Sequence, residues 1–166
     1  MIYKPQRMSS SQKRSKPKKP RTKGKYRNVN KKEVDGIQFR SKLEAHCYRA
    51  LRDAGILADY EKHKYVLMTG FHYPNVRIED NGKSGYRDKQ TYKVRDITYT
   101  PDFVDPGGKW VIECKGFANE RFPLKWKMFM EKLKQQGDPP ALFVPRNQKQ
   151  NIETIQAILE LVTPTK

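Results

Sequence analysis

Residues 99–116, YTPDFVDPGGKWVIECKG, place two short apolar runs on either side of a turn sequence. Asp105, Pro106 and two glycines supply the turn, so the stretch predicts a hairpin. Its first strand ends near Val104 and its second returns over Lys109–Lys115. Trp110, Val111, Ile112 and Cys114 mark the returning strand as interior. Period two then puts Val111, Glu113 and Lys115 on one face, with Trp110, Ile112 and Cys114 on the other. A glutamate and a lysine on such a strand cost on the order of several kcal/mol unless paired or coordinated. An ion pair between the two would account for them, at little gain if exposed and with apolar substitutes available if buried.

Asp102 gives the reason to prefer more than an ion pair. It stands eleven residues before Glu113, next to Pro101, which keeps its predecessor extended and withholds an amide hydrogen. Two carboxylates meeting at a kinked strand end repel unless a proton or a cation lies between them. Mg²⁺, with Mn²⁺ as a substitute, suits an all-oxygen donor set, to which the Cys114 carbonyl could add. Lys115 beside such an ion could hold or help deprotonate an attacking water, or offset charge on a phosphate. A bound metal would acidify that water. The residue types therefore point to metal-assisted cutting of a phosphodiester.

Outward from the hairpin, RSKLEAHCYRALRDAG (40–55) predicts a helix. Ser41 and Glu44 match a capping box in which Glu44 reaches back to the Ser41 amide, and Gly55 ends the helix. Leu43, Cys47, Leu51 and Ala54 form the apolar stripe. ILADYEKHKYVLM (56–68) predicts a strand over 60–68, and FHYPNVRI (71–78) a short one interrupted near Pro74. EDNGKSGYRDKQ (79–90) reads as a polar loop. FPLKWKMFMEKLKQQG (122–137) predicts a helix that buries Trp126, Phe129, Met130 and Leu133, with Pro123 in its first turn. PALFVP (140–145) predicts a strand, and NIETIQAILELV (151–162) a helix packed through Ile152, Ile155, Leu159 and Val162. The expected fold is a layered α/β domain with a central mixed sheet of about four to five strands flanked by helices.

Charge is segregated. The formal net charge is +17 over 166 residues, yet residues 1–32 hold thirteen Lys or Arg and no acid, leaving only about +4 for the rest. The expected organisation is a disordered basic arm, 1–32, and one domain, 33–166. Such an arm binds polyanions by counterion release, which makes nucleic acid the leading partner. Lys125, Lys127 and Arg87 are further candidates for nucleic-acid contact. Cys47 and Cys114 read as small core residues, and His46, His63 and His72 show no ligand spacing. No stretch is long and apolar enough to span a bilayer, and no signal segment precedes the domain, so a cytoplasmic location is expected.

TPDF followed by IECKG resembles the catalytic signature of the PD-(D/E)XK nuclease superfamily: Pro101 and Asp102 match its PD pair, and Glu113, Cys114 and Lys115 its E-x-K element. Glu44 resembles the acidic residue that many members carry on the helix before the core sheet. The layout is similar to that of a small phage and prophage family related to phage endonuclease I and branched-DNA resolvases, with coverage from about Phe39 to Val144. The resemblance implies a restriction-endonuclease-like core and Mg²⁺-dependent endonuclease activity on DNA, branched DNA or Holliday junctions included, in phage recombination or DNA processing. It implies Glu44, Asp102, Glu113 and Lys115 as catalytic residues, with Glu44, Asp102, Glu113 and the Cys114 carbonyl as metal ligands. A homodimer in the host cytoplasm is a further expectation. Two alternatives stand beside this reading: a non-catalytic nucleic-acid-binding protein, and a nuclease acting on RNA or single strands.

Overall fold

The computed structural model describes residues 32–80, 82, 85–116 and 120–162. The basic arm lies outside these residues except for Lys32, which begins the first strand. In chain order the elements are β1 (Lys32–Val34), β2 (Ile37–Phe39), α1 (Lys42–Asp53), β3 (Asp59–Tyr60), β4 (Tyr65–Met68), β5 (Ile78–Asp80) and β6 (Tyr86–Asp88). There follow β7 (Ile97–Tyr99), β8 (Phe103–Val104), β9 (Trp110–Ile112), α2 (Phe122–Lys134), β10 (Ala141–Phe143) and α3 (Gln148–Val162).

The hairpin sits at the centre. β8 pairs antiparallel with β9, in the register Phe103↔Ile112 and Val104↔Val111. β10 adds parallel to β9, and β3 antiparallel to β8, giving a mixed four-stranded sheet in the order β10-β9-β8-β3. Hydrogen bonding to the β10 side continues past β9: the amides of Glu113 and Lys115 donate to the carbonyls of Phe143 and Pro145, each at 2.9 Å. The returning chain therefore stays extended to Lys115, although the regular strand ends at Ile112.

Period two decides what covers each face. Phe103, Trp110, Ile112 and Cys114 pack with Ala45, Cys47 and Leu51 of α1 and with Ile155 and Ile158 of α3. Val104 and Val111 face the other way, against Phe129 and Leu133 of α2 and Tyr99 of β7. Both faces are covered, which is why Trp110, Val111 and Ile112 are all buried.

Four expectations need correction. The segment 60–68 is not one strand, because Glu61 turns out of the sheet at φ 46°, and β3 and β4 then pair in different sheets. The stretch 79–90 is no simple loop, since β5 and β6 within it form an antiparallel hairpin. Met130 is exposed on α2. The buried face of α3 is Asn151, Thr154, Ile155 and Ile158, so Ile152, Leu159 and Val162 lie more to solvent. The amide of Asn151 rotates that helix: its Nδ2 donates to the Leu43 carbonyl on α1 at 3.1 Å and lies 3.1 Å from His46 Nδ1.

A second antiparallel ribbon leaves this core. β4 pairs with β7 through a bulge between Val66 and Met68, and a further bridge joins Phe71 to Val94. Gly70 permits that approach, since a Cβ there would collide with the Val94 carbonyl. None of the described helices is long and apolar enough to cross a membrane.

Candidate metal centre

Three carboxylates from separate elements converge beside the hairpin. Carboxylate oxygens of Glu44 on α1, Glu61 just past β3 and Asp102 just before β8 all lie within 4.8 Å of one another. Glu44 and Asp102 are buried and Glu61 is half-buried. Each is placed by the local fold. Ser41 caps α1, accepting from the Glu44 amide at 3.2 Å and donating its hydroxyl to Glu44 Oε1 at 2.7 Å. Glu44 Oε2 accepts from the Arg40 amide at 3.0 Å and from the Tyr60 hydroxyl at 2.7 Å. The reciprocal bond thus goes to Arg40, not to the Ser41 amide expected from the capping-box pattern.

Asp102 is fixed from behind. Its Oδ2 accepts from the Cys114 amide at 2.7 Å, and its carbonyl accepts from the Glu61 amide at 2.9 Å. That second bond ties Glu61, whose backbone is left-handed at φ 46°, into the cluster. Such a backbone costs a non-glycine residue about 1 kcal/mol. Arg40 Nη2 meets the exposed side of Glu61 at 2.8 Å.

Glu113 and Lys115 complete the wall. Lys115 Nζ lies 2.9 Å from Glu113 Oε1 and 4.6 Å from the centre of the Phe122 ring, so an ion pair and an aromatic face both hold it. Glu113 Oε2 and the Tyr99 hydroxyl are both buried and interact with each other, but neither makes a hydrogen bond of good geometry. A cavity of about 480 Å³ opens here, lined by Glu44, Asp102, Glu113 and Lys115 together with Arg121 and Lys125. Lys125 Nζ donates to the Thr98 carbonyl across it at 3.0 Å.

The electrostatics are those of buried carboxyls crowded against one another. Burial first, then the charges of Glu113 and Glu44, push Asp102 well above the usual carboxylate range. Glu61 is raised by burial, against the pull of Arg40 and with the added push of Glu44 and Glu113. Burial, then the charge of Glu113, raises the Tyr99 phenol. A divalent cation would relieve all three and would give Glu113 Oε2 a partner of good geometry, so the donor set fits a hard ion. The Cys114 thiol does not take part. A hydrogen bond with Cys47, then burial, raise its pKa, and it packs in the core on the opposite face.

Of the residues singled out from the sequence, Glu44 and Asp102 enter the three-oxygen cluster, while Glu113 and Lys115 line the same cavity as an ion pair. Lys125 reaches that cavity; Lys127 is exposed elsewhere on α2, and Arg87 is exposed on β6. Sequence reasoning missed Glu61, Tyr99 and Arg121. The available signal for Glu61 was a lone acid directly after a strand, within YEKHK. Because Ser41 both caps α1 and orients Glu44, Ser41→Ala should cost about 1 kcal/mol of stability. Thermal melting would show it, and would show no loss if the cap were idle.

A family model described as protein of unknown function (DUF1064) matches residues 23–139. No curated protein and no solved structure matches the chain.

Proposed function

For a chain that belongs to the DUF1064 family of proteins of unknown function, we propose a divalent-metal-dependent nuclease that cuts DNA phosphodiesters in the cavity between β7, the end of β9 and α2. The carrying observation is the convergence of Glu44, Glu61 and Asp102, two of which line, with Glu113, a cavity whose remaining charged groups are cations. In this reading the fold is a restriction-endonuclease-like core of the PD-(D/E)XK kind. Carboxylates at a phosphate site weaken binding unless a cation bridges them, which disfavours a purely binding role.

Glu44, Asp102 and Glu61 would hold the ion, Mg²⁺ or Mn²⁺, with Glu113 Oε2 and the Cys114 carbonyl as further oxygens. When bound, such an ion supplies Lewis acidity toward the phosphate and lowers the pKa of water. The chain's own groups do the positioning. Lys115, braced by Glu113 and the Phe122 ring, presents its ammonium to the scissile phosphate or to the attacking water. Arg121 and Lys125 on α2 offset the charge of the flanking phosphates. The Cys114 amide keeps Asp102 turned toward Glu44.

The test is a cleavage panel with the full chain on duplex, flap, four-way-branched and single-stranded DNA and on RNA, with Mg²⁺, Mn²⁺ or chelator. Cutting of DNA should require the metal, and Glu61→Gln should slow it at least about ten- to a hundredfold, the loss seen when even a group supporting a metal ligand is removed. Cutting that persists in chelator, or no cutting of any substrate, would reject the proposal. Branched DNA as the preferred substrate would call for two copies making paired cuts, and sedimentation of the active species tests that.

A further inference from the structure

The cavity explains how a phosphodiester could be held, and leaves the second ribbon without a role. All four exposed Phe or Tyr side chains among the described residues lie in the segment between β4 and β7: Phe71, Tyr73, Tyr86 and Tyr92. The domain's other Phe, Tyr and Trp rings among the described residues are buried or half-buried. The four exposed rings are not gathered into one apolar patch, because Arg77, Arg87, Lys89, Lys93 and Arg95 are interleaved with them.

The register separates two faces. Glu79 lies opposite Arg87, and Asp80 opposite Tyr86, so period two assigns Arg77, Glu79, Arg87 and Lys89 to one face and Tyr86 and Asp88 to the other. On the first face a hollow of about 330 Å³ is lined by the rings of Phe71 and Tyr73 and by Arg77, Glu79 and Val94. Lys89 Nζ sits over the Tyr92 ring, 5.2 Å from its centre. The acids are spent internally: Glu79 accepts from Arg77 at 2.7 Å, Asp80 from the Gly82 amide at 2.7 Å, and Asp88 from the Gln90 amide at 2.8 Å. Arg87, Lys93 and Arg95 make no ion pair among the described residues. The face thus sets the rings of Phe71, Tyr73 and Tyr92 beside Arg87, which makes no ion pair among the described residues, and Lys89, whose ammonium lies over a ring.

That combination is what an unpaired nucleic-acid strand needs: rings on which bases stack, and cations for the backbone. A duplex offers its bases only edge-on, so exposed rings gain little from it. The ribbon is also continuous with the cleavage cavity. Its Phe71–Val94 bridge leads into β4 and β7, and Thr98 and Tyr99 at the end of β7 line the cavity.

We propose that the surface formed by the β5–β6 hairpin and the residues that join it to the β4–β7 ribbon, carrying Phe71, Tyr73, Tyr92, Arg87 and Lys89, binds unpaired nucleic-acid strand by base stacking. It would lead that strand to the carboxylate cavity; this last step rests on the nuclease reading. The substrate class is then DNA with a single-stranded element, such as a flap, gap or branch.

The experiment is equilibrium binding of the full chain to a fluorescent oligothymidylate and to a duplex of equal length. It is run in chelator, so that binding is read without cleavage. Tyr73→Ala with Tyr92→Ala should weaken single-strand binding about tenfold or more and duplex binding by less than twofold. The salt dependence should not change, because no phosphate contact is lost. Tyr73→Phe with Tyr92→Phe should bind as the parent does, and so should Tyr86→Ala on the opposite face. Unchanged single-strand affinity in the alanine variant, equal losses on strand and duplex, or an equal loss from Tyr86→Ala would overturn the proposal. A chain that never cuts can still pass this assay, and one that cuts but ignores the rings fails it alone.

Discussion

Asp102→Asn is expected to slow metal-dependent cleavage by on the order of 10³-fold or more, the scale of losing one group that stabilises charge in a transition state. The same variant should be at least as stable as the parent in metal-free buffer at neutral pH. The two effects share one cause. Asparagine keeps an oxygen for the Cys114 amide, which now donates to Asp102 Oδ2 at 2.7 Å, so the local fold has no reason to change. What disappears is a carboxyl that burial first, then the charges of Glu113 and Glu44, hold above its usual range. Removing that penalty is worth about 1.4 kcal/mol per pKa unit removed, or a few degrees in melting temperature. Single-strand affinity should stay within about twofold, since Asp102 faces the cavity and not the ribbon. A variant that cuts at the parent rate would show that Asp102 is not at the reacting phosphate. A variant that melts well below the parent would show that the carboxylate is structural. Sites that trade stability for chemistry behave in the expected way.

The core was legible because its signals are local and strong. Alternation in WVIEC separated Val111 from Trp110, Ile112 and Cys114, and those two sets indeed face different helices. Ser41 and Gly55 gave the ends of α1: Ser41 is the N-cap and Gly55, at φ 70°, accepts the left-handed backbone that closes the helix. What escaped was decided by tertiary contact. Glu61 joins the cluster only because the chain reverses there and hydrogen-bonds to Asp102, a partner forty-one residues away. No local pattern announces such a bond. The rotation of α3 was hidden for a similar reason, since a polar residue, Asn151, occupies its buried face to meet α1. The polar, glycine-bearing stretch 79–90 reads as loop because both faces of β5 and β6 meet solvent, which removes the alternation by which a strand is recognised.

Divalent metal should raise the melting temperature of the full chain at neutral pH and lose that effect as the solution is acidified. The sign follows from the raised carboxyls. Asp102 and Glu61 hold protons in the folded state at pH values where the unfolded chain has released them. Between the usual carboxylate pKa and the raised folded value, the folded state therefore binds more protons. Without metal, stability falls as pH rises through that window. A metal ion needs the same oxygens deprotonated, so its stabilisation grows over the window in which the empty cluster becomes most strained. At a metal concentration one hundred times the dissociation constant the gain is about 2.7 kcal/mol, roughly 10 °C for a domain of this size. Thermal melts with Mn²⁺ or chelator, repeated from acid to neutral pH on parent and Asp102→Asn, resolve the cause. A shift confined to the parent and growing with pH assigns the ion to this cluster. The cationic groups of the chain give it no alternative attraction for a divalent ion, so an equal shift in both proteins would place the metal at other carboxylates and withdraw the proposed chemistry from Asp102.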